Sequence, residues 1–142
     1  MSPKQECEAL MNDLMPLAEK MLKQFGEFYP YGGYMKSNGQ IVHVGAKDPK
    51  TDRPKSKDLI AILKQSFRDL VEAGQCKATG IVYDVVIPLP SESRKSDAIQ
   101  FCLDHADGYS AEVFFPYQLI DHQIIYGETF AQDGKHEIFG RF

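Results

Sequence analysis

Residues 98–115 read Ala98-Ile99-Gln100-Phe101-Cys102-Leu103-Asp104-His105-Ala106-Asp107-Gly108-Tyr109-Ser110-Ala111-Glu112-Val113-Phe114-Phe115, two alternating runs either side of an Asp-Gly turn. How that turn closes sets which side chains lie opposite each other. A two-residue loop at Asp107-Gly108 places Leu103 against Glu112 and Cys102 against Val113, mixing polar and apolar on both faces. A three-residue loop, Ala106-Asp107-Gly108, places Leu103 against Ala111, Phe101 against Val113 and Ile99 against Phe115. That face is wholly apolar, and Gly108 then occupies the left-handed position the accompanying bulge needs. The three-residue turn is the expected one, joining antiparallel strands at Ala98–Asp104 and Tyr109–Phe115.

Upstream lies a further strand, Ala78–Ile87, in which Ile81, Tyr83, Val85 and Ile87 alternate with Val82, Asp84 and Val86. The first set is assigned to the core face. The other face then gathers Val82, Asp84, Val86, Gln100, Cys102, Glu112 and Phe114, with Asp104 and Ser110 beside them. An apolar strip among carboxylates reads as an interaction face, because a bare strip of that kind is a liability unless something covers it. The expected covers are the chain's own tail from Tyr117 to Phe142, a second subunit, or an unrelated partner. In that tail a weaker strand is expected over Ile124–Phe130, and a short one over Glu137–Phe139 after the Asp133-Gly134 turn.

The N-terminal half carries two helix patterns. Leu10, Leu14, Leu17, Met21 and Phe25 form one stripe of a helix over Gln5–Phe25, with Pro16 predicting a kink or break and Gly26 a stop. Ser56 caps a second, whose apolar positions are Leu59, Ile60, Ile62, Leu63, Phe67, Leu70 and Val71, ending at Gly74. Between them, Tyr34–Lys36 and Gln40–Val44 flank Asn38-Gly39, a hairpin signal. Glu27 to Gly33, with three aromatics, one Pro and two Gly, reads as an ordered packed loop.

The expected fold is therefore α+β, one domain over 1–142: a two-layer, mainly antiparallel sheet of about five strands with two amphipathic helices, in the order α-β-β-α-β-β-β plus a β-rich tail. The order resembles the profilin-like and roadblock-like plan without its closing helix, a likeness of architecture that implies no function.

Composition narrows the function classes. Hydrophobic residues make up 43% and charged residues 25%, ordinary globular usage that argues against disorder or a fibre. A net charge of -4 repels polyphosphate, and Lys47, Lys50, Arg53, Lys55 and Lys57 are interleaved with Asp48, Asp52 and Asp58, a solvated loop; no nucleic-acid or membrane partner is expected. Cys7, Cys76 and Cys102 are too far apart for a framework, and with no export signal they place the protein in the reducing cytoplasm.

Catalytic signatures are thin. There is no G-x-S-x-G elbow and no HExxH, and the Asp104-His105-Ala106-Asp107 cluster is accounted for by the turn, so neither metal nor cofactor is expected. Asp84 and Glu112 on one face are the best catalytic pair, one carboxyl raised by flanking valines. Tyr29 and Tyr31 are stacking candidates, and Lys95 belongs to a polar connector, Ser91 to Asp97, long enough to be a recognition loop. Two readings follow: a non-enzymatic module that binds a protein partner or itself through the acidic-apolar face, as toxin-immunity proteins neutralise basic partners, or a small-molecule domain or enzyme built on Asp84 and Glu112. The first is preferred, because site chemistry is sparse while the mixed face is pronounced.

Overall fold

A computed structural model describes residues 1–140; the last two residues of the expected tail, 141–142, lie outside them. The described chain is α+β: two helices and a seven-stranded, antiparallel sheet, in the anticipated order of α-β-β-α-β-β-β followed by two tail strands. The elements are α1 (Pro3–Phe25), β1 (Tyr31–Met35), β2 (Ile41–Val44), α2 (Ser56–Glu72), β3 (Ala78–Pro88), β4 (Lys95–His105), β5 (Ser110–Ile120), β6 (Gln123–Tyr126) and β7 (Phe130–Asp133). Strands lie side by side as β2-β1-β3-β4-β5, and β5's outer edge is shared by β7 and β6. No helix follows β5 among the described residues.

The central hairpin closes as its pattern requires. The Tyr109 carbonyl accepts from the His105 amide, Gly108 has φ +91°, and Ile99, Phe101 and Leu103 face Phe115, Val113 and Ala111. Strand β5 continues past Phe115 through Pro116, which falls at the step of β5 that neither β7 nor β6 pairs, so its missing N–H removes no bond from that edge. The expected strand over Ile124–Phe130 is two strands with a break between them, and Glu137–Phe139 is a turn rather than a strand.

Helix α1 covers one face of the sheet with Cys7, Leu10, Leu14, Ala18 and Leu22, over Val82, Ile99, Phe101 and Leu103. Phe25, expected in that stripe, is exposed instead. Ser2 and Gln5 form a reciprocal capping box, which starts the helix ahead of the expected Gln5. Pro16 does not split it. The Tyr31 hydroxyl accepts from the Ala18 amide at 3.0 Å and donates to the Leu14 carbonyl at 2.5 Å, bridging the helix beside the proline with a side chain from β1. Helix α2 sits on the opposite face, where Leu63 and Phe67 pack on Ile81 and Tyr34. Its N-cap is Lys55, which offers no side-chain acceptor, and Ser56 is the first helical residue rather than the cap.

Two helices on two faces explain why Gly32 and Gly33 are strand residues and not part of a loop. A Cβ on Gly32 would lie 2.4 Å from the Gly80 carbonyl and 3.0 Å from the Phe67 ring; one on Gly33 would lie 2.8 Å from Leu14. Strand β1 is squeezed between the helices, and only glycine lets the backbones approach that closely.

Candidate functional site

The register of β3 divides the expected interaction face. Ile81 lies opposite Cys102 and Val82 opposite Phe101, one residue out of step with the sequence-based assignment. Gln100, Cys102, Glu112 and Phe114 therefore look toward α2, while Val82, Asp84 and Val86 look toward α1. Asp84 and Glu112 stand on opposite sides of the sheet, so the proposed carboxylate pair does not form. The physical reason is that helices cover both faces near Ala78–Val82. Both parities there are apolar, and alternation stops distinguishing inside from outside.

On the α2 side, four of the expected residues line one cleft of about 340 Å3 together with Lys64, Ile81, Tyr83, Asp104 and the segment Gly134–Ile138. That segment is a strap. Asp104 Oδ2 accepts from the amides of Ile138 and Phe139 at 2.8 and 3.0 Å, Lys64 pairs with Glu137, and Arg68 Nε donates to the Glu137 carbonyl at 2.8 Å. Gly134 threads close enough to β5 that a Cβ would sit 2.0 Å from Ser110 Oγ. Phe114, the key apolar residue of the expected strip, is buried and stacks on Phe130 of β7 at 4.9 Å. The tail is thus the cover over this part of the face.

Inside the cleft, the Tyr83 hydroxyl and Cys102 Sγ are 3.3 Å apart, and Gln100 Nε2 donates to the same sulfur at 3.5 Å. Burial pushes the Cys102 thiol up, and the Tyr83 hydroxyl bond only partly opposes it, so Cys102 is not poised as a thiolate nucleophile. Among the described residues, no three His, Cys, Asp or Glu side chains converge as a metal site would require.

On the α1 side the surroundings are different. Val82 is fully buried in the main core, but Asp84 and Val86 lie farther along β3, toward the C-terminal end of α1. The Tyr117 hydroxyl donates to Asp84 Oδ1 at 2.6 Å. Burial raises the Asp84 carboxyl, the Tyr117 bond opposes this, and the negative charges of Asp97 and Glu27 push it further up. Asp97 lies directly opposite Val86. Phe25, Tyr29 and Val86 are 68%, 59% and 64% exposed, and a groove of about 660 Å3 runs between the end of α1 and the Glu27–Tyr31 segment, lined by Leu17, Met21, Phe25, Phe28 and Tyr29.

The secondary candidates separate in the same way. Tyr31 is a structural bridge inside the core and not a stacking platform, Tyr29 is exposed at the groove, and Lys95 is already in β4, opposite Pro88, which shortens the expected recognition loop. The sequence missed Lys64, Tyr83 and the strap, whose one signal was the Asp133-Gly134 pair, and it missed Glu27, Asp97 and Phe25, which no short pattern marks as neighbours.

Fold and surfaces together define an α+β protein whose single antiparallel sheet carries one helix on each face, with an acidic-apolar surface toward one end and a polar cleft on the α2 side. Compared with known protein families, curated proteins and solved structures, the chain gives no match. No helix among the described residues is long and apolar enough to cross a membrane.

Proposed function

We propose that this chain is a non-enzymatic interaction module, acting in the cytoplasm, that holds a basic, apolar-bearing segment of another protein against the surface toward the C-terminal end of α1. The observation that carries this reading is the company Val86 keeps: it is mostly exposed, opposite Asp97 and two residues from Asp84 on the same face, Glu27 is near enough to Asp84 to act on its charge, and among the described residues none of those carboxylates has a cation within ion-pair distance. The neighbouring groove, with exposed Phe25 and Tyr29, adds apolar area of the kind that forms the centre of an interface, while the carboxylates supply the charge that selects a basic partner. The same charge disfavours nucleic acid. The site differs from the face expected from sequence, but its chemistry is the same mixture of carboxylate and apolar side chain.

The test is retention of proteins from native extract on the immobilised chain, beside a Val86→Thr/Asp97→Lys variant. Both positions are exposed, so the variant should unfold at the same temperature. A basic protein held by the parent chain, released by raised salt and lost from the variant supports the proposal. Identical retention by both chains, or none by either, overturns it.

A further inference from the structure

We propose that the strap is a lid: it opens by itself, without unfolding the sheet or the helices, and so turns the cleft on the α2 side into an open trough across β4 and β5. The strap lies on the other face of the sheet from the proposed interaction surface, and the two are independent.

The way the strap is held sets it apart from the helices. In Gly134–Phe139 only Gly134 is buried; Lys135 and Glu137 are exposed, and His136, Ile138 and Phe139 are half-buried. Ile138 packs on the cluster of Leu63, Phe67 and Ile81. The rest of the hold is polar: Asp104 Oδ2 accepts the Ile138 and Phe139 amides, and Ser110 Oγ accepts the His136 amide at 3.2 Å. Helix α2 adds the Lys64–Glu137 pair and the Arg68 Nε bond to the Glu137 carbonyl. A segment with little buried carbon, tied by hydrogen bonds near the surface, opens at a lower free energy than the fold as a whole. Water takes over those bonds when it does, so each one resists opening only modestly. His136 favours opening further, because closure holds a non-glycine residue at φ +53°.

Movement begins after Gly134. Its amide donates to the Ser110 carbonyl at 3.0 Å, and its backbone lies against β5 where a Cβ has no room, so that point is fixed. Beyond it, the strap is one wall of the cleft, and Ile81, Tyr83, Cys102, Glu112 and Phe114 line the rest. Lifting that wall exposes them.

Amide hydrogen exchange of the full chain, followed by NMR, tests the lid. The His136, Ile138 and Phe139 amides should exchange at least about tenfold faster than those of Phe101 and Leu103 in β4, at rates that low denaturant leaves unchanged. A Lys64→Met/Arg68→Met variant removes both α2 latches and keeps good helix formers at positions that are not buried. It should speed strap exchange severalfold further while the β4 amides keep their rates. Maleimide labelling of Cys102, half-buried in the cleft, should quicken by a similar factor when read by peptide mass. Strap amides that exchange only together with β4, strap exchange unchanged in the variant, or Cys102 labelling that does not respond to it would each overturn the proposal. Should the variant not fold, the denaturant dependence of strap exchange in the parent chain decides alone.

Discussion

The two faces of the sheet are made by the same strands yet enclose opposite interiors. Under α1 the contact is dry: Leu10, Leu14 and Leu22 meet Val82, Ile99, Phe101 and Leu103, and the polar exceptions are the Tyr31 hydroxyl beside Pro16 and the group of Glu6, His105 and Lys77 near the start of the helix. Under α2 only Leu63, Phe67 and Ile81 form a buried apolar cluster, while Thr79, Gln100, Asp104 and Glu112 are buried as polar groups. The shorter α2 lies mainly on β1 and β3; farther out the strap crosses the face of β4 and β5, while β7 extends the sheet beside β5. A helix supplies a stripe of carbon and needs no anchor on the sheet. A strap exposes backbone amides, and the sheet beneath it must offer acceptors, which is what Asp104 and Ser110 do. The polar character of that face follows from what covers it, and so does the cleft.

Energetics should reproduce the contrast. Phe101→Ala, at the centre of the dry face, should cost about 4 to 5 kcal/mol in chemical denaturation, and Phe67→Ala, in the smaller cluster, about 3 kcal/mol. A larger loss at Phe67, or less than about 1 kcal/mol at either, breaks the comparison. Phe114→Asp tests the strap side alone. It replaces a ring stacked on Phe130 with a buried charge, and a loss of about 2 to 3 kcal/mol at unchanged solution mass is expected. Lower mass without lost stability would instead make that face a subunit contact.

What was legible in the sequence tracks how one-sided each element is. The 98–115 hairpin has one apolar and one polar face, and its register is as expected residue by residue. Strand β3 has helices on both sides near its start, so its alternation carried no sign and the assignment slipped by one. Phe25 satisfied the helical spacing but lies at the last turn, past the sheet it was to cover. The strap was illegible for a different reason: it is held by backbone amides, one glycine and the long-range Lys64–Glu137 and Arg68 contacts, none of which leaves a local side-chain pattern to read. For Phe114 the tail was one of three covers the sequence left open, and the ring of Phe130 beside it was not anticipated.

The smallest expected effect is at Asp84, and its sign separates a structural carboxylate from one kept for binding. Burial raises the folded-state carboxyl above its ordinary value of 3.8, and the Tyr117 bond only partly offsets this. The folded chain therefore binds this proton more tightly than the unfolded one, so stability is lost as pH rises from 3.8 through the raised value, and the loss is complete above it. Asparagine keeps the oxygen that accepts from Tyr117 and discards the charge. Asp84→Asn should stabilise the protein at pH 7 by about a few tenths of a kcal/mol, since the group is only partly buried, and the gain should vanish in acid where both side chains are neutral. Thermal unfolding at pH 7 and pH 3 measures both. A gain in stability with loss of the basic partner would mark Asp84 as a residue held at a cost for recognition. A loss of stability at pH 7 would mean that the Tyr117 bond outweighs burial, and the carboxylate would then be part of the scaffold.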